Sequence, residues 1–175
     1  MIIIGMDPSL CNWGICRGVL DTRFTVDMLD IEQTSAETGG PKNLDDLARM
    51  GQLATFLKHH LSKEALIYAE LPTGSRDARG MVSYAAVTAL LAYLLADGYN
   101  IKTVTQREVK LNTAGYAEAS KATMIAWAVA NYPEAPWPYV RKHGQLQINA
   151  SKAEHMADAV AVAHTGLLLY PPKLF

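Results

Sequence analysis

Ile2-Ile3-Ile4-Gly5-Met6-Asp7-Pro8-Ser9 opens the chain with a short apolar run that stops at an acid. An isoleucine-rich run without polar alternation suits a strand buried on both faces. Asp7-Pro8-Ser9 is turn chemistry, because proline fixes φ and the Asp and Ser side chains accept hydrogen bonds from nearby backbone N–H groups. Working outward, Trp13 to Leu20 and Thr22 to Ile31 are predicted as two more strands around Leu20-Asp21, which makes an antiparallel meander. Gln33 to Lys42, with Gly39-Gly40 and Pro41, reads as a loop.

The pattern then changes. Asn43 is predicted as the N-cap of an amphipathic helix in which Leu44, Leu47, Ala54, Leu57 and Leu61 recur at helical spacing. Ala65 to Ala69 is a short apolar strand ending at Glu70, followed by the loop Leu71-Pro72-Thr73-Gly74. Met81 to Ala96 should be a buried helix closed by Asp97-Gly98, and Ile101 to Thr105 a fifth strand. Helices over Ala119 to Asn131 and Lys152 to about Tyr170 complete the chain, with prolines after each. Tyr132 to Ser151 reads as a long irregular segment. The expected fold class is α/β: a mixed five-stranded sheet, three antiparallel strands and then parallel additions, flanked by helices.

The 175 residues suit one domain, 1–175. Half are hydrophobic and 19% charged, a composition that can bury a core. No signal-peptide pattern opens the chain, and no uninterrupted apolar run approaches the roughly 18 residues that span a bilayer, so no membrane association is expected. Cys11 and Cys16 lack the partners of a zinc site and are expected to be free thiols in a cytoplasm. The net charge of −1 argues against a protein that coats nucleic acid. It conceals an asymmetry: residues 1–70 carry six Lys/Arg and ten Asp/Glu, residues 102–152 seven and three. The basic surface is therefore local.

Ligands in α/β sheets gather at the carboxyl ends of strands, which is where Asp7 and Glu70 fall. If their strands are neighbours, the two carboxylates converge. The last helix adds Lys152-Ala153-Glu154-His155-Met156-Ala157-Asp158, where His155 and Asp158, and equally Glu154 and Asp158, share a face. An acid and an imidazole in an otherwise apolar helix are costly to bury without partners, and a divalent cation is one such partner. Carboxylates favour Mg²⁺ or Mn²⁺, and two such ions can clamp the attacking and leaving oxygens of a phosphodiester. Asp7, Glu70, Asp158 and His155 are the expected ligands, with His155 either on a metal or orienting the water.

Gly5-Met6-Asp7-Pro8-Ser9 with Gly14, Glu70, Val109-Lys110, Gly115, Ala119-Ser120-Lys121 and His155-Met156-Ala157-Asp158-Ala159, in that order and spacing, resemble the RuvC family of Holliday-junction resolvases. The resemblance implies a ribonuclease-H-like nuclease and a homodimer that binds four-way DNA and nicks two strands symmetrically, in a bacterial or phage-infected cytoplasm. It gives Asp7, Glu70, His155 and Asp158 catalytic positions, and sets Lys110 and Lys121 near the cleaved phosphate. A positive charge there can offset charge developing in the transition state. Arg76, Arg79, Arg141 and Lys142 are further expected DNA contacts; the aromatics of the same loop, Trp137 and Tyr139, could stack on bases, with Trp137 equally suited to covering the core. A ribonuclease of the same fold, acting on RNA–DNA hybrid or structured RNA, would share the acidic site. A non-catalytic DNA-binding module would have no need of all the acids. An actin-like ATPase would need a second half and a second phosphate loop, and the sequence shows neither.

Overall fold

The computed structural model describes residues 1–35, 41–74, 77–142 and 144–172. Its main sheet has five strands: β1 (Ile2–Asp7), β2 (Asn12–Leu20), β3 (Phe24–Gln33), β4 (Leu66–Glu70) and β5 (Asn100–Val104). They lie in the order β3-β2-β1-β4-β5. β1 pairs antiparallel with β2 and parallel with β4, and β5 adds parallel to β4. This is the mixed ribonuclease-H-like sheet expected from the sequence.

Helices cover both faces. α1 (Lys42–His60) and α2 (Ala78–Ala96) lie on one side, α3 (Gln106–Thr113), α4 (Lys121–Asn131) and α5 (Ala150–Leu169) on the other. Side chains alternate across a strand, so Ile4, Met6, Ile15 and Ile67 pack with Leu53, Leu57, Leu90 and Leu91 of α1 and α2. Ile3, Cys16, Leu66 and Tyr68 instead face α5, whose Ala157, Val160, Ala161 and Ala163 are fully buried. Cys11 and Cys16 are both free thiols.

Several local expectations are corrected. Pro41, not Asn43, occupies the N-cap of α1, with no side-chain cap. α2 starts earlier than Met81 because Asp77 caps it, its carboxylate accepting from Gly80 N. The unpredicted α3 is nucleated by a reciprocal capping box: Glu108 N donates to Thr105 Oγ1 at 3.2 Å, and Thr105 N donates to Glu108 Oε2 at 2.7 Å. Part of the segment read as irregular is a hairpin, β6 (Tyr139–Lys142) with β7 (Gln145–Ile148), turning through Gly144 at φ +79°.

α2 differs in one further respect. It is long and apolar enough to cross a membrane by length and composition, although it contains no long uninterrupted apolar run. Val87, Leu90, Leu91 and Leu94 seat it on the sheet, while Met81, Val82, Tyr84, Tyr93 and Leu95 are exposed. The expectation of a largely buried helix holds for one side of it only.

Candidate active site

Strand parity and register place the first two acids. Asp7 follows Ile3 and Gly5 on the face of β1 that meets α5, and Glu70 follows Leu66 and Tyr68 on the same face of β4. Met6 pairs with Ala69, so the two strands end side by side and their terminal carboxylates are neighbours.

Two glycines bring the helix to them. A Cβ on Gly5 would lie 2.1 Å from the carbonyl oxygen of Ala159, and one on Gly14 would lie 2.2 Å from that of His155. Real side chains do not approach backbone so closely, so α5 can rest on β1 and β2 only where both side chains are missing. Gly14 is also the register partner of Asp7. The contact therefore sets His155 beside Asp7, and His155 Nδ1 stands 2.6 Å from Asp7 Oδ2. One turn further, Asp158 faces the same space.

The result is a cleft of about 230 Å³ lined by Asp7, Glu70, Lys110, Lys121, His155 and Asp158, together with Gln106, Val109, Ala119, Met124 and Glu154. α3 supplies Gln106 and Lys110. α4 supplies Lys121 at its first position, after Ser120 caps the helix by accepting from Thr123 N. Glu154, noted in the sequence only for sharing a helix face with Asp158, holds Lys121 in an ion pair, Nζ to Oε1 at 2.5 Å.

Negative charge dominates this space. Burial, then the neighbouring Asp7 and Asp158, push the Glu70 carboxyl up to about 8, with Lys110 offsetting part of it. Burial and Asp7 push Asp158 up to about 7. The hydrogen bond to Asp7 raises His155 above the ordinary imidazole range, against the effect of its burial. Among the described residues no three His, Cys, Asp or Glu side chains stand gathered as a finished metal site. The fit to a divalent cation rests on chemistry: oxygen donors converge, and burial together with neighbouring carboxylates holds Glu70 and Asp158 toward their neutral forms, a cost that a cation would relieve.

No family model matches the sequence, and no curated protein matches it. Solved structures do. A structure described as Thermus thermophilus RuvC in complex with Holliday junction substrate matches at a TM-score of 0.65 and 17% identity, covering 98% of this chain and 95% of that one. The fold is that of RuvC. A second Thermus thermophilus RuvC structure matches at a TM-score of 0.55 and 18% identity, covering 94% of this chain and 92% of that one.

On this RuvC fold the other basic residues expected to touch DNA lie outside the cleft lining. Arg79, on α2, is ion-paired with Asp46 of α1. Arg141 and Lys142 are exposed on β6. Arg76 lies outside the described residues. Trp137 does not stack outward: it is buried, and its Nε1 donates to the Tyr132 carbonyl at 2.9 Å. Tyr139 is the exposed aromatic of that segment. His164, half a turn out of phase with His155, is tied to the Tyr132 hydroxyl at 2.8 Å and takes no part in the cleft.

Proposed function

We propose that the chain is a structure-selective DNA endonuclease, one nuclease domain over residues 1–175, that resolves four-way junctions by metal-dependent phosphodiester hydrolysis. The observation that carries this reading is the convergence of Asp7, Glu70, His155 and Asp158 in one cleft, with Lys110 and Lys121 among its lining residues. The RuvC fold supports it, and one of the matching RuvC structures is described with a Holliday junction substrate.

Asp7, Glu70 and Asp158 would hold the ions, and His155, already hydrogen-bonded to Asp7, would either add a nitrogen donor or orient the water. When bound, a pair of Mg²⁺ or Mn²⁺ ions supplies a nucleophilic water and neutralises charge on the phosphate. Lys110 and Lys121 would hold the scissile phosphate. Lys121 can leave Glu154 to do so, because its side chain is largely exposed and the pair is screened by water.

Paired nicks need two copies. Val82, Ala85, Ala89 and Ala92 recur at three- and four-residue spacing on the exposed side of α2, a strip of small and apolar residues on which two identical helices can pack closely. This supports a homodimer built on α2.

One panel tests the function: four-way junction, three-way junction, flap, linear duplex and RNA–DNA hybrid, each with Mg²⁺ or Mn²⁺. Symmetric nicking of the four-way junction is the expected result. Cutting confined to the hybrid would transfer the site to a ribonuclease, and binding without cutting would make the chain a junction-binding module.

A further inference from the structure

We propose that the β6–β7 hairpin is a ribbon arm that grips a duplex arm of the substrate beside the cleaved strand, with Arg141 and Lys142 on phosphates and Tyr139 and Leu146 laid against the groove. The proposal rests on the DNA-nuclease reading of the cleft and adds a binding element to it.

The hairpin stands apart from the main sheet as its own two-stranded ribbon. Tyr139 pairs with Ile148 and Arg141 with Leu146 on one face, Val140 with Gln147 and Lys142 with Gln145 on the other. A ribbon of two strands is marginal by itself and needs a surface to pack on. Here only the base has one. Asn149 N closes it on the Pro138 carbonyl at 2.7 Å, Trp137 anchors the preceding chain in the core, and Ile148 packs beside Ile125 and Val129 of α4. All the other strand residues are exposed, including Tyr139, Val140 and Leu146. Apolar side chains displayed on a projecting element suggest a contact made elsewhere.

Charge and position identify the partner. Between Glu134 and Glu154 the sequence contains no acid, but it does contain Arg141, Lys142 and Lys152, so the arm suits a polyanion. β7 ends at Ile148 and α5 begins at Ala150, with Glu154 and His155 of the cleft in the early turns of that helix. DNA whose phosphate enters the cleft therefore continues toward the ribbon. Four residues per strand give a length of roughly 13 Å, and a major groove about 12 Å wide admits a two-stranded ribbon.

The test uses the full chain with a labelled four-way junction in a metal-free buffer, so that binding is read without cleavage. Arg141→Ala/Lys142→Ala should weaken binding roughly tenfold and reduce the slope of log affinity against log salt by close to two, since each phosphate contact contributes about 0.9. Its thermal melt should match the parent's, because both side chains are exposed on β6. Tyr139→Ala should weaken binding with the salt slope unchanged. Parental affinity and slope in the double variant, while the parent binds and cuts the junction, would overturn the arm and leave the nuclease intact. A change of oligomeric state in Tyr139→Ala/Leu146→Ser, with DNA affinity unchanged, would assign the ribbon to a protein contact and also overturn it. A parent that neither binds nor cuts branched DNA would overturn the nuclease reading, and the arm with it.

Discussion

Replacing Glu70 by Gln should stabilise the metal-free protein at alkaline pH while destroying its response to metal. Burial first, and then Asp7 and Asp158 beside it, move the Glu70 midpoint from 4.5 to about 8. At 1.36 kcal/mol per pH unit, an ionised Glu70 costs the fold up to about 5 kcal/mol. A primary amide is itself costly to bury without partners, so the net relief is nearer half, on the order of 2–3 kcal/mol. A chain of this length gains about 2–4 °C per kcal/mol, so the variant should melt roughly 5–10 °C above the parent near pH 8. The direction with pH follows from proton counting: between pH 4.5 and 8 the folded chain holds protons on Glu70 and Asp158 that the unfolded chain has released, so parental stability falls as pH rises through that range. His155 acts in the same sense, because its raised midpoint is a stabilisation lost when the ring deprotonates. Thermal melts in chelator across this range, for parent and variant, with and without Mn²⁺, provide the measurement. Mn²⁺ should restore the parent at pH 8 and leave the variant nearly unmoved. A parental stability that is flat or rising with pH, or a variant no more stable than the parent at pH 8, would refute the picture of uncompensated carboxylates.

Asp7→Asn should reduce junction cleavage by more than about 100-fold, the upper range for lesser changes around metal ligands, with binding in gel shift retained; undiminished cleavage would remove Asp7 from the chemistry. Lys121→Ala should slow single-turnover cleavage about tenfold, less than the loss of a buried transition-state donor because its side chain is exposed, and an unchanged rate would make Lys121 an ordinary surface residue. Gly14→Ala drives a methyl into the His155 carbonyl and should cost about 3 kcal/mol or more in denaturant titration, together with activity; a variant of parental stability would show that α5 is free to shift. Ala89→Arg on the exposed side of α2 should yield a monomer in sedimentation that nicks one strand at a time, and an unaltered dimer would move the interface elsewhere.

The sequence revealed most where burial imposes a period. β1, β4 and α5 are apolar enough that their ends, and hence Asp7, Glu70, His155 and Asp158, are legible in the sequence. Only the pairing of β1 with β4 was needed to bring them together. α3 escaped because it is eight residues long with Val109 alone buried, too few turns for a helical period, although the Thr105-x-x-Glu108 cap was present in the sequence. The β6–β7 hairpin escaped because a ribbon exposed on both faces has no buried alternation, and Gly144 was the one local turn signal. Trp137 is legible only as two alternatives, because an aromatic among prolines and basic residues suits either a contact surface or a cover for the core, and the fold takes the second. Glu154 is adjacent in sequence to His155, but its partner Lys121 lies on another helix, which spacing within α5 does not reveal.

α5 is held against the sheet along its length. Near its start the His155 carbonyl lies on Gly14, and near its end the Tyr68 ring fills the space beside Gly166 while the Tyr68 hydroxyl donates to the Tyr170 carbonyl at 2.6 Å. The two clamps are eleven residues apart, roughly 16 Å of rigid helix. His155 and Asp158 therefore ride on a common carriage, and their spacing from Asp7 and Glu70 is a single coordinate, the slide of α5 along β1 and β4. Trimming Tyr68 at the far clamp would detune both donors at once without touching either.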